Sequence, residues 1–306
     1  MLAALLRLFR IPNLAILVGT VYLVAQQVIY PPLIQNKILS QLTPNELYLV
    51  LFIVVCIGGG GYLFNDIVDV EADKANGRTV VIDHFITRHL ALVMYYFITL
   101  APLVAVFSLV IELERPALFW GYISLVLLFW AYNKYLQSIA VAGNITVALL
   151  CSLGIILPLY LEYPSISVLL EIDPKEYHFI LSTIIFFSTF AFLSNLAREI
   201  IKDIEDIDGD RRANQRTLPI ITSIDRSKNV VGVIMTLLAI CIGFFAFSIT
   251  TLPLYSKIIS LILLTVPLGV LGWQTIKANQ KEDYTLISQI WKAYFVCGVL
   301  AIIFMT

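Results

Sequence analysis

Nine apolar runs, most of them about 20 residues long, recur along this chain of 306 residues. A helix of roughly 20 apolar residues is what crosses the ~30 Å of hydrocarbon in a bilayer. Only 13% of the residues are charged, whereas an ordinary soluble domain carries roughly 25%. The composition therefore excludes a water-soluble globule. The runs lie near residues 11–30, 47–65, 90–111, 117–133, 139–161, 178–200, 229–249, 252–272 and 288–305.

Hydrocarbon also decides the secondary structure, because a backbone without water must satisfy its own hydrogen bonds. Only helices do so at this density of apolar residues. We therefore predict an all-α, polytopic membrane protein with nine transmembrane helices in a bundle. We expect one transmembrane domain over residues 1–306, with pseudo-repeat halves of about 1–137 and 138–306.

Lys and Arg fall unevenly between the two sets of segments that flank the runs. The N-terminal segment and the flanks after runs two, four, six and eight carry 16 of the 20, and the other loops carry Lys37, Arg115, Lys175 and Lys257. Because cytoplasmic flanks carry the excess of basic residues, the N-terminus and the even-numbered loops are predicted to be cytoplasmic. A net charge of -1 without a basic tail or stripe gives no sign of nucleic-acid binding.

Two of the predicted cytoplasmic loops carry the same acidic pattern, D-x-x-D-x-x-x-D. Positions i, i+3 and i+7 share one face of a helix, so each copy would present three carboxylates in a stripe. Like charges on one face repel, so such a stripe needs cations. The copies are Asp66, Asp69 and Asp73 after run two, and Asp203, Asp206 and Asp210 after run six.

The repeat continues beyond the carboxylates, since A-N-x-R-T follows both copies at a spacing of 137 to 138 residues. Folding of the bundle is expected to bring the two stripes face to face across a central cavity. Oxygen donors with Arg and Lys beside them suit Mg²⁺ that bridges to a phosphorylated substrate, and neither stripe contains the His or Cys of a zinc site. A single acidic loop is often merely solvated, but two matched copies favour a metal site.

The stretch Asn65 to Asp73, NDIVDVEAD, resembles the NDxxDxxxD motif of the UbiA superfamily of intramembrane prenyltransferases. The stretch Asp203 to Asp210, DIEDIDGD, resembles the second aspartate-rich motif of that family. The resemblance covers nearly the whole chain. It implies a nine-helix bundle whose central cavity opens to lipid and is capped by the cytoplasmic loops. It also implies that a prenyl group passes from a prenyl diphosphate, with Mg²⁺, to a hydrophobic acceptor within the membrane.

The same resemblance implies a metal-ligand set and four catalytic residues. Asn65 and Asp69 match the first-motif positions that ligate magnesium, and Asp206 and Asp210 match the second-motif D-x-x-x-D. The catalytic residues would be Asp69, Asp206, Asp210 and Lys134, the last matching a basic residue of the family's loop after span four. The full predicted metal set is Asn65, Asp66, Asp69, Asp73, Asp203, Asp206 and Asp210.

Further residues are predicted to bind the substrates. Arg78 and Arg216 occupy equivalent positions of the repeat, and together with Lys202 they are candidates for binding diphosphate oxygens. Tyr132 is a candidate for stabilising an allylic cation through its ring. Three positions that resemble basic or amide residues of the family complete the set: Arg10, Asn13 and Asn144.

The acceptor is predicted from the stretch 198–210 and the following Thr217-Leu218-Pro219, which resemble the branch that makes digeranylgeranylglyceryl phosphate. The expected acceptor is a geranylgeranylglyceryl phosphate-type lipid, and the expected donor is geranylgeranyl diphosphate. Three alternatives stay open: transfer to an aromatic acceptor of the quinone, tocopherol, chlorophyll or haem O type, cyclisation of a terpene, and non-catalytic lipid transport or binding.

Overall fold

Helices make up nearly all of the computed structural model, which describes residues 2–75, 77, 80–213, 215–248 and 253–304. Over these residues there is no β-strand, so the all-α prediction is confirmed. A π-helical turn, Val24–Ile29, follows α2, and a 3₁₀ turn, Leu136–Ser138, follows α8. The helices are α1 (Leu2–Leu8), α2 (Ile11–Leu23), α3 (Tyr30–Gln35), α4 (Pro44–Val68), α5 (Val70–Ala75), α6 (Arg88–Leu100), α7 (Leu103–Glu112), α8 (Ala117–Lys134), α9 (Ala142–Ile172), α10 (Pro174–Glu205), α11 (Ile207–Arg212), α12 (Leu218–Ile221), α13 (Ile224–Ser248), α14 (Leu254–Lys277) and α15 (Lys281–Ile303).

Eight helical segments in the described part of the chain are long and apolar enough to cross a membrane. The remaining predicted run, 117–133, forms α8, which has 18 residues and therefore spans only about 27 Å. Its Trp, Tyr, Asn and Lys residues make it less apolar than the other eight, so the count of nine is approximate. The eight segments are Ile11–Gln35, Pro44–Val68, Arg88–Glu112, Ala142–Ile172, Pro174–Glu205, Ile224–Ser248, Leu254–Lys277 and Lys281–Ile303.

The largest departure from the predicted runs lies in α9, which continues to Ile172 instead of ending near residue 161. Pro158 and Pro164 both stand inside this helix, although proline removes a helical hydrogen bond and often ends a helix. Burial explains the continuation, because Ile166 and Leu169 are fully buried beyond the second proline. The predicted loop after residue 161 is therefore wrong.

A buried carboxylate fixes the extended part of α9. The side chain of Glu162 is fully buried, and its Oε2 accepts a hydrogen bond from the backbone N–H of Gln41 at 2.7 Å. The side-chain amide of Gln41 donates to Ser165 Oγ at 2.9 Å, and the Ser165 hydroxyl donates to the Leu39 carbonyl at 2.6 Å. From the sequence, the charged Glu162 is predicted to lie in a loop. This prediction fails because Gln41, in the loop before α4, supplies a hydrogen-bond donor for the buried carboxylate.

The chain divides into two compact units. Unit 1 comprises Met1–Val18, Leu42–Gly143 and Asp208–Arg216, and unit 2 comprises Gly19–Gln41, Asn144–Ile207 and Thr217–Thr306. Unit 1 thus contains α4 to α8, whereas unit 2 contains α3, α10 and α12 to α15. The single domain and its halves near residue 137 stay a prediction.

Glycines at the middle of α4 let unit 1 pack closely. The run Gly58, Gly59, Gly60 and Gly61 is buried, and its members approach α2, α6 and α8. A Cβ atom added at Gly61 would lie 2.5 Å from Cδ1 of Phe129 on α8. The absence of side chains at these positions therefore sets how near the neighbouring helices lie.

In unit 2, α10 packs against α13 and α15, and α14 packs against α13 and α15. The rings of Phe186 and Phe245 stack with centroids 3.8 Å apart between α10 and α13. Gly298 of α15 gives room to Phe190, whose Cε1 would lie 2.6 Å from an added Cβ. The inner face of α10 is thus fixed by aromatic packing on two sides.

We expect Gly61→Ala to destabilise the protein, because the added methyl group forces Phe129 out of its place against α4. Overpacking of this kind costs about 1–3 kcal/mol, which thermal unfolding in detergent micelles would detect as a lower Tm. Gly121→Ala on α8 is the matched control, since no atom lies within 4 Å of its added Cβ. An unchanged Tm for Gly61→Ala would contradict the packing described.

Candidate active site

Each acidic motif lies where a long helix ends. Helix α4 ends at Val68, and Asp69 follows as its C-cap with φ -91° and ψ 11°. Helix α10 ends at Glu205, and Asp206 follows with φ -96° and ψ 5°. Short helices, α5 and α11, then carry the third aspartate of each motif. The expectation of one continuous helical stripe is therefore wrong, because each motif is divided between the end of a long helix and a short helix.

Amide side chains hold the middle carboxylate of the first motif. Asn65 Nδ2 donates to Asp69 Oδ2 at 2.7 Å, and Gln137 Nε2 donates to Asp69 Oδ1 at 2.9 Å. The same Asn65 amide donates to Gln137 Oε1 at 3.1 Å. Both carboxylate oxygens of Asp69 are thus oriented by uncharged donors from α4 and from the 3₁₀ turn after α8.

Arg10 approaches the first motif from the turn between α1 and α2. Its Nη2 donates to Asn65 Oδ1 at 2.9 Å and to Asp66 Oδ1 at 3.3 Å. Its guanidinium lies 4.9 Å from the ring centroid of Tyr62, whose hydroxyl accepts a 3.5 Å hydrogen bond from Asn13. Arg10 has φ 45°, a conformation that non-glycine residues rarely adopt and that is often found at functional sites.

The surroundings of Asp69 disfavour the ionised form of its carboxyl group. Burial, and then repulsion by Asp73, raise the pKa of Asp69 to about 6, against the opposing effects of Gln137, Arg10 and Asn65. A cation beside the carboxylate would stabilise its ionised form. The first motif is therefore an anionic site that is favoured by positive charge.

The second half of the second motif belongs to unit 1. Asp210 is buried, and its carbonyl accepts a hydrogen bond from the backbone N–H of Gln215 at 2.8 Å. The backbone N–H of Arg216 donates to the Ser138 carbonyl at 3.0 Å. Because Ser138 follows Gln137 directly, the segment that carries Arg216 is tied to the turn that orients Asp69.

The first half of the second motif belongs to unit 2, where α9 supports it. Asn144 Nδ2 donates to Asp203 Oδ2 at 2.8 Å, and both Asn144 and Asp206 are buried. Lys202 Nζ lies 3.3 Å from Glu199 Oε2. An amide thus orients a carboxylate of the second motif, as in the first.

The donor set fits Mg²⁺ in its chemistry. All the predicted ligands offer oxygen atoms, which Mg²⁺ prefers. In the described part of the chain, no three His, Cys, Asp or Glu residues are close enough to form a ready-made metal cage. Mg²⁺ typically takes only one or two carboxylates and completes its shell with water and phosphate oxygens.

The other predicted site residues at the end of α8 and after α5 are Lys134, Tyr132 and Arg78. The contacts that the structure gives Lys134 are with the rings of Trp130 and Tyr135, at 5.1 and 5.7 Å from their centroids, rather than with either motif. Tyr132 lies one turn from the end of α8. Arg78 lies outside the described residues. Among the described residues, the contacts given for Lys134 do not join it to the carboxylates.

Sequence reasoning gave no role to Gln137, Arg198 or Glu199. Gln137 is uncharged and lies in a short turn, so nothing in the sequence marked it, whereas Lys134 drew attention through its charge. Arg198 and Glu199 stand within the predicted run 178–200, and ionisable residues at membrane depth are a signal of function. That signal was available in the sequence.

The chain matches the UbiA prenyltransferase family model over residues 37–297. It therefore belongs to the UbiA prenyltransferase family. Digeranylgeranylglyceryl phosphate synthase of Thermococcus sibiricus is 32% identical over 204 residues, which are 66% of this chain and 65% of that protein. The alignment thus spans slightly less than two thirds of the relative's length. Several other archaeal relatives of similar identity carry the same name.

Solved structures share the fold over almost the whole chain. One, described as giving insights into the biosynthesis of digeranylgeranylglyceryl phosphate synthase in membranes, has a TM-score of 0.65 and 19% identity, with 99% of this chain and 97% of that chain covered. A UbiA homologue from Archaeoglobus fulgidus bound to GPP and Mg²⁺ has a TM-score of 0.61 and 12% identity, with 98% and 99% covered. The chain is an integral, multi-pass membrane protein of this fold.

We expect Gln137→Glu to destabilise the protein in the absence of divalent cations. The change places a carboxylate where an amide now donates to Asp69 at 2.9 Å, and like charges at this distance repel. The apparent Tm measured in EDTA should fall by several degrees, roughly 2–4 °C per kcal/mol lost. Added Mg²⁺ should recover part of this loss.

The matched control is Gln35→Glu, since Gln35 is an exposed residue at the end of α3. It should leave the Tm in EDTA almost unchanged. Equal Tm values for the two variants would show that Gln137 does not hold Asp69.

Proposed function

We propose that this chain transfers a prenyl group from a prenyl diphosphate to a hydrophobic acceptor within the membrane, in an Mg²⁺-dependent reaction. The observation that carries the proposal is the network around the first motif, in which Arg10, Asn65 and Gln137 orient Asp66 and Asp69. An anionic site with a guanidinium beside it, at the end of a membrane-spanning helix, suits a magnesium diphosphate whose tail lies in hydrocarbon. Family membership supports the same reaction.

The proposed donor is geranylgeranyl diphosphate, and the proposed acceptor is a geranylgeranylglyceryl phosphate-type lipid. The curated relatives support this choice because they carry the name digeranylgeranylglyceryl phosphate synthase. In the reaction, the bond between the allylic carbon and the diphosphate oxygen breaks. That carbon then forms an ether bond with the acceptor's hydroxyl oxygen, and the hydroxyl proton is released.

Both motifs supply the ligands in this proposal. When bound, Mg²⁺ neutralises the charge that develops on the departing diphosphate. The residues that would hold it share oxygen donors at the ends of α4 and α10 and at the starts of α5 and α11. They are Asn65, Asp66, Asp69, Asp73, Asp203, Asp206 and Asp210.

Basic residues of the chain bind the diphosphate oxygens directly in this proposal. Arg10 is already oriented by Asn65 and Asp66, and the Arg216 backbone is fixed to Ser138. Lys202 and Arg78 complete the predicted set. Charge-assisted hydrogen bonds from such groups are stronger than neutral ones, so they hold the leaving group while the allylic carbon reacts.

The central test incubates purified protein and Mg²⁺ with labelled geranylgeranyl diphosphate. Separate reactions contain geranylgeranylglyceryl phosphate, an aromatic acceptor or no acceptor, and lipid products are analysed. We expect an ether lipid with two prenyl chains only in the first. A labelled aromatic product would show that the protein transfers the prenyl group to an aromatic acceptor. A labelled hydrocarbon formed without acceptor would show that it is a cyclase.

Asp69→Asn and Asp206→Asn should each lower kcat by about a hundredfold or more, because each removes charge that holds the leaving group's counter-ion. The rate of ether-lipid formation at saturating substrates checks this. Asp208→Asn is the matched control within the second motif, since Asp208 is exposed and lies off the shared spacing. Asp208→Asn should keep nearly full turnover. Unchanged turnover in Asp69→Asn and Asp206→Asn would contradict the proposed mechanism.

We further propose that the N-terminus and both motifs face the cytoplasm, as the distribution of Lys and Arg indicates. Two exposed lysines begin helices on opposite predicted sides: Lys175 in the first turn of α10 and Lys281 in the first turn of α15. In a variant without the four native cysteines, Lys175→Cys should react with an impermeant maleimide in intact cells. Lys281→Cys should react only after permeabilisation, and the reverse pattern would invert the topology.

A further inference from the structure

A charged cluster lies deeper in α10 than the second motif. Arg198 and Glu199 are adjacent, and Lys202 lies about one turn further along α10, directly before Asp203. The segment belongs to one of the helices that are long and apolar enough to cross the membrane. Ionisable side chains at such depth are costly, and they usually mark a path or a binding site.

The contacts of the cluster leave Arg198 only partly satisfied. Arg198 Nη1 donates to Glu199 Oε1 at 2.8 Å, and Lys202 Nζ lies 3.3 Å from the other carboxylate oxygen, Oε2. The Arg198 side chain is only 10% exposed. Its Nε is buried and has no hydrogen-bond partner among the residues that the structure describes. A buried guanidinium N–H of this kind is expensive unless a ligand accepts its hydrogen bond.

Charge points to the kind of ligand. Two cations, Arg198 and Lys202, share the single carboxylate of Glu199, while Asp203 accepts a hydrogen bond from Asn144 on α9. If Asp203 and Asp206 serve the metal, the cluster keeps an excess of positive charge in a medium that disfavours it. An anionic group would balance that charge, and a guanidinium is well shaped to bind phosphate oxygens.

The position distinguishes this anion from the donor's diphosphate. Arg198 lies five residues before Asp203, about 7.5 Å along the helix axis at the usual rise, on the side away from the motif. The diphosphate is already served by the carboxylates and by the basic residues beside them. The prenyl tails of both substrates lie in hydrocarbon at this level, but the acceptor is the substrate that brings a further phosphate group.

We propose that Arg198 binds the phosphate of the acceptor lipid and thereby selects a phosphorylated acceptor. This inference rests on the proposed function and adds a residue that selects the acceptor. The acceptor's three-carbon glycerol places its phosphate close to the hydroxyl that reacts. A group that fixes the phosphate therefore also positions the hydroxyl. Glu199 accepts its hydrogen bond from Nη1 of Arg198, which leaves the Nε–H for the ligand.

The test measures KM for each substrate in Arg198→Gln and Arg198→Lys, with geranylgeranylglyceryl phosphate and its uncharged analogue geranylgeranylglycerol as acceptors. We expect Arg198→Gln to raise the KM of the phosphorylated acceptor roughly tenfold or more. The KM of geranylgeranyl diphosphate and the rate with the uncharged acceptor should stay near the wild-type values. Arg198→Lys keeps a cation and should recover part of the lost affinity.

Glu199→Gln separates binding from a structural role. If Arg198 serves only as the partner of Glu199, both single variants break the same ion pair and should show the same defect. If Arg198 binds phosphate, loss of the Glu199 charge leaves the cluster more positive, so the KM of the phosphorylated acceptor should fall or stay unchanged. Arg226→Gln, which changes an exposed arginine of α13, is the control for a general loss of charge.

Several results would overturn the inference. They are an equal rise in the KM of donor and acceptor, an equal loss with both acceptors, and a shared defect of Arg198→Gln and Glu199→Gln. A wild-type protein that transfers no prenyl group to any acceptor would instead defeat the proposed function. If Arg198→Gln does not fold, Arg198→Lys decides the matter through the same comparison of the two acceptors.

Discussion

A chain that crosses hydrocarbon must pair its peptide groups within its own helices, because lipid offers no partner for a free N–H or C=O group. This constraint forces long helices and moves charged side chains to their ends or to specific interior sites. Both acidic motifs obey it, since they begin at the last turns of α4 and α10. Both motifs therefore lie where membrane-spanning helices end.

These ends are electrostatically unfavourable for carboxylates. The C-terminus of a helix carries partial negative charge from its unpaired carbonyl groups, and Asp69 and Asp206 occupy the C-cap positions of helices with 25 and 32 residues. Each motif adds two further aspartates within a few residues. The raised pKa of Asp69 reflects its burial and the repulsion of Asp73. A divalent cation bound there would offset the partial negative charge of the helix ends as well as the charge of the side chains.

Much of the fold follows from the sequence, since apolar runs determine spans with little help from tertiary contacts. The extension of α9 to Ile172 escaped prediction because two prolines and Glu162 resemble a loop, and only the bond to Gln41 shows that this carboxylate is satisfied inside. The acidic motifs were predictable from their repeated spacing. Gln137 was not, because an uncharged side chain gains its meaning only when folding brings it to Asp69.

The identity of the groups that orient the carboxylates matters as much as their position. Asn65 and Gln137 in unit 1, and Asn144 in unit 2, donate hydrogen bonds without bringing a positive charge. A lysine at any of these positions would neutralise the carboxylate and compete with a metal ion for it. Amides fix the direction of the oxygens and leave their charge intact. Repeated use of amides in both units therefore keeps the carboxylates oriented and still able to attract a cation.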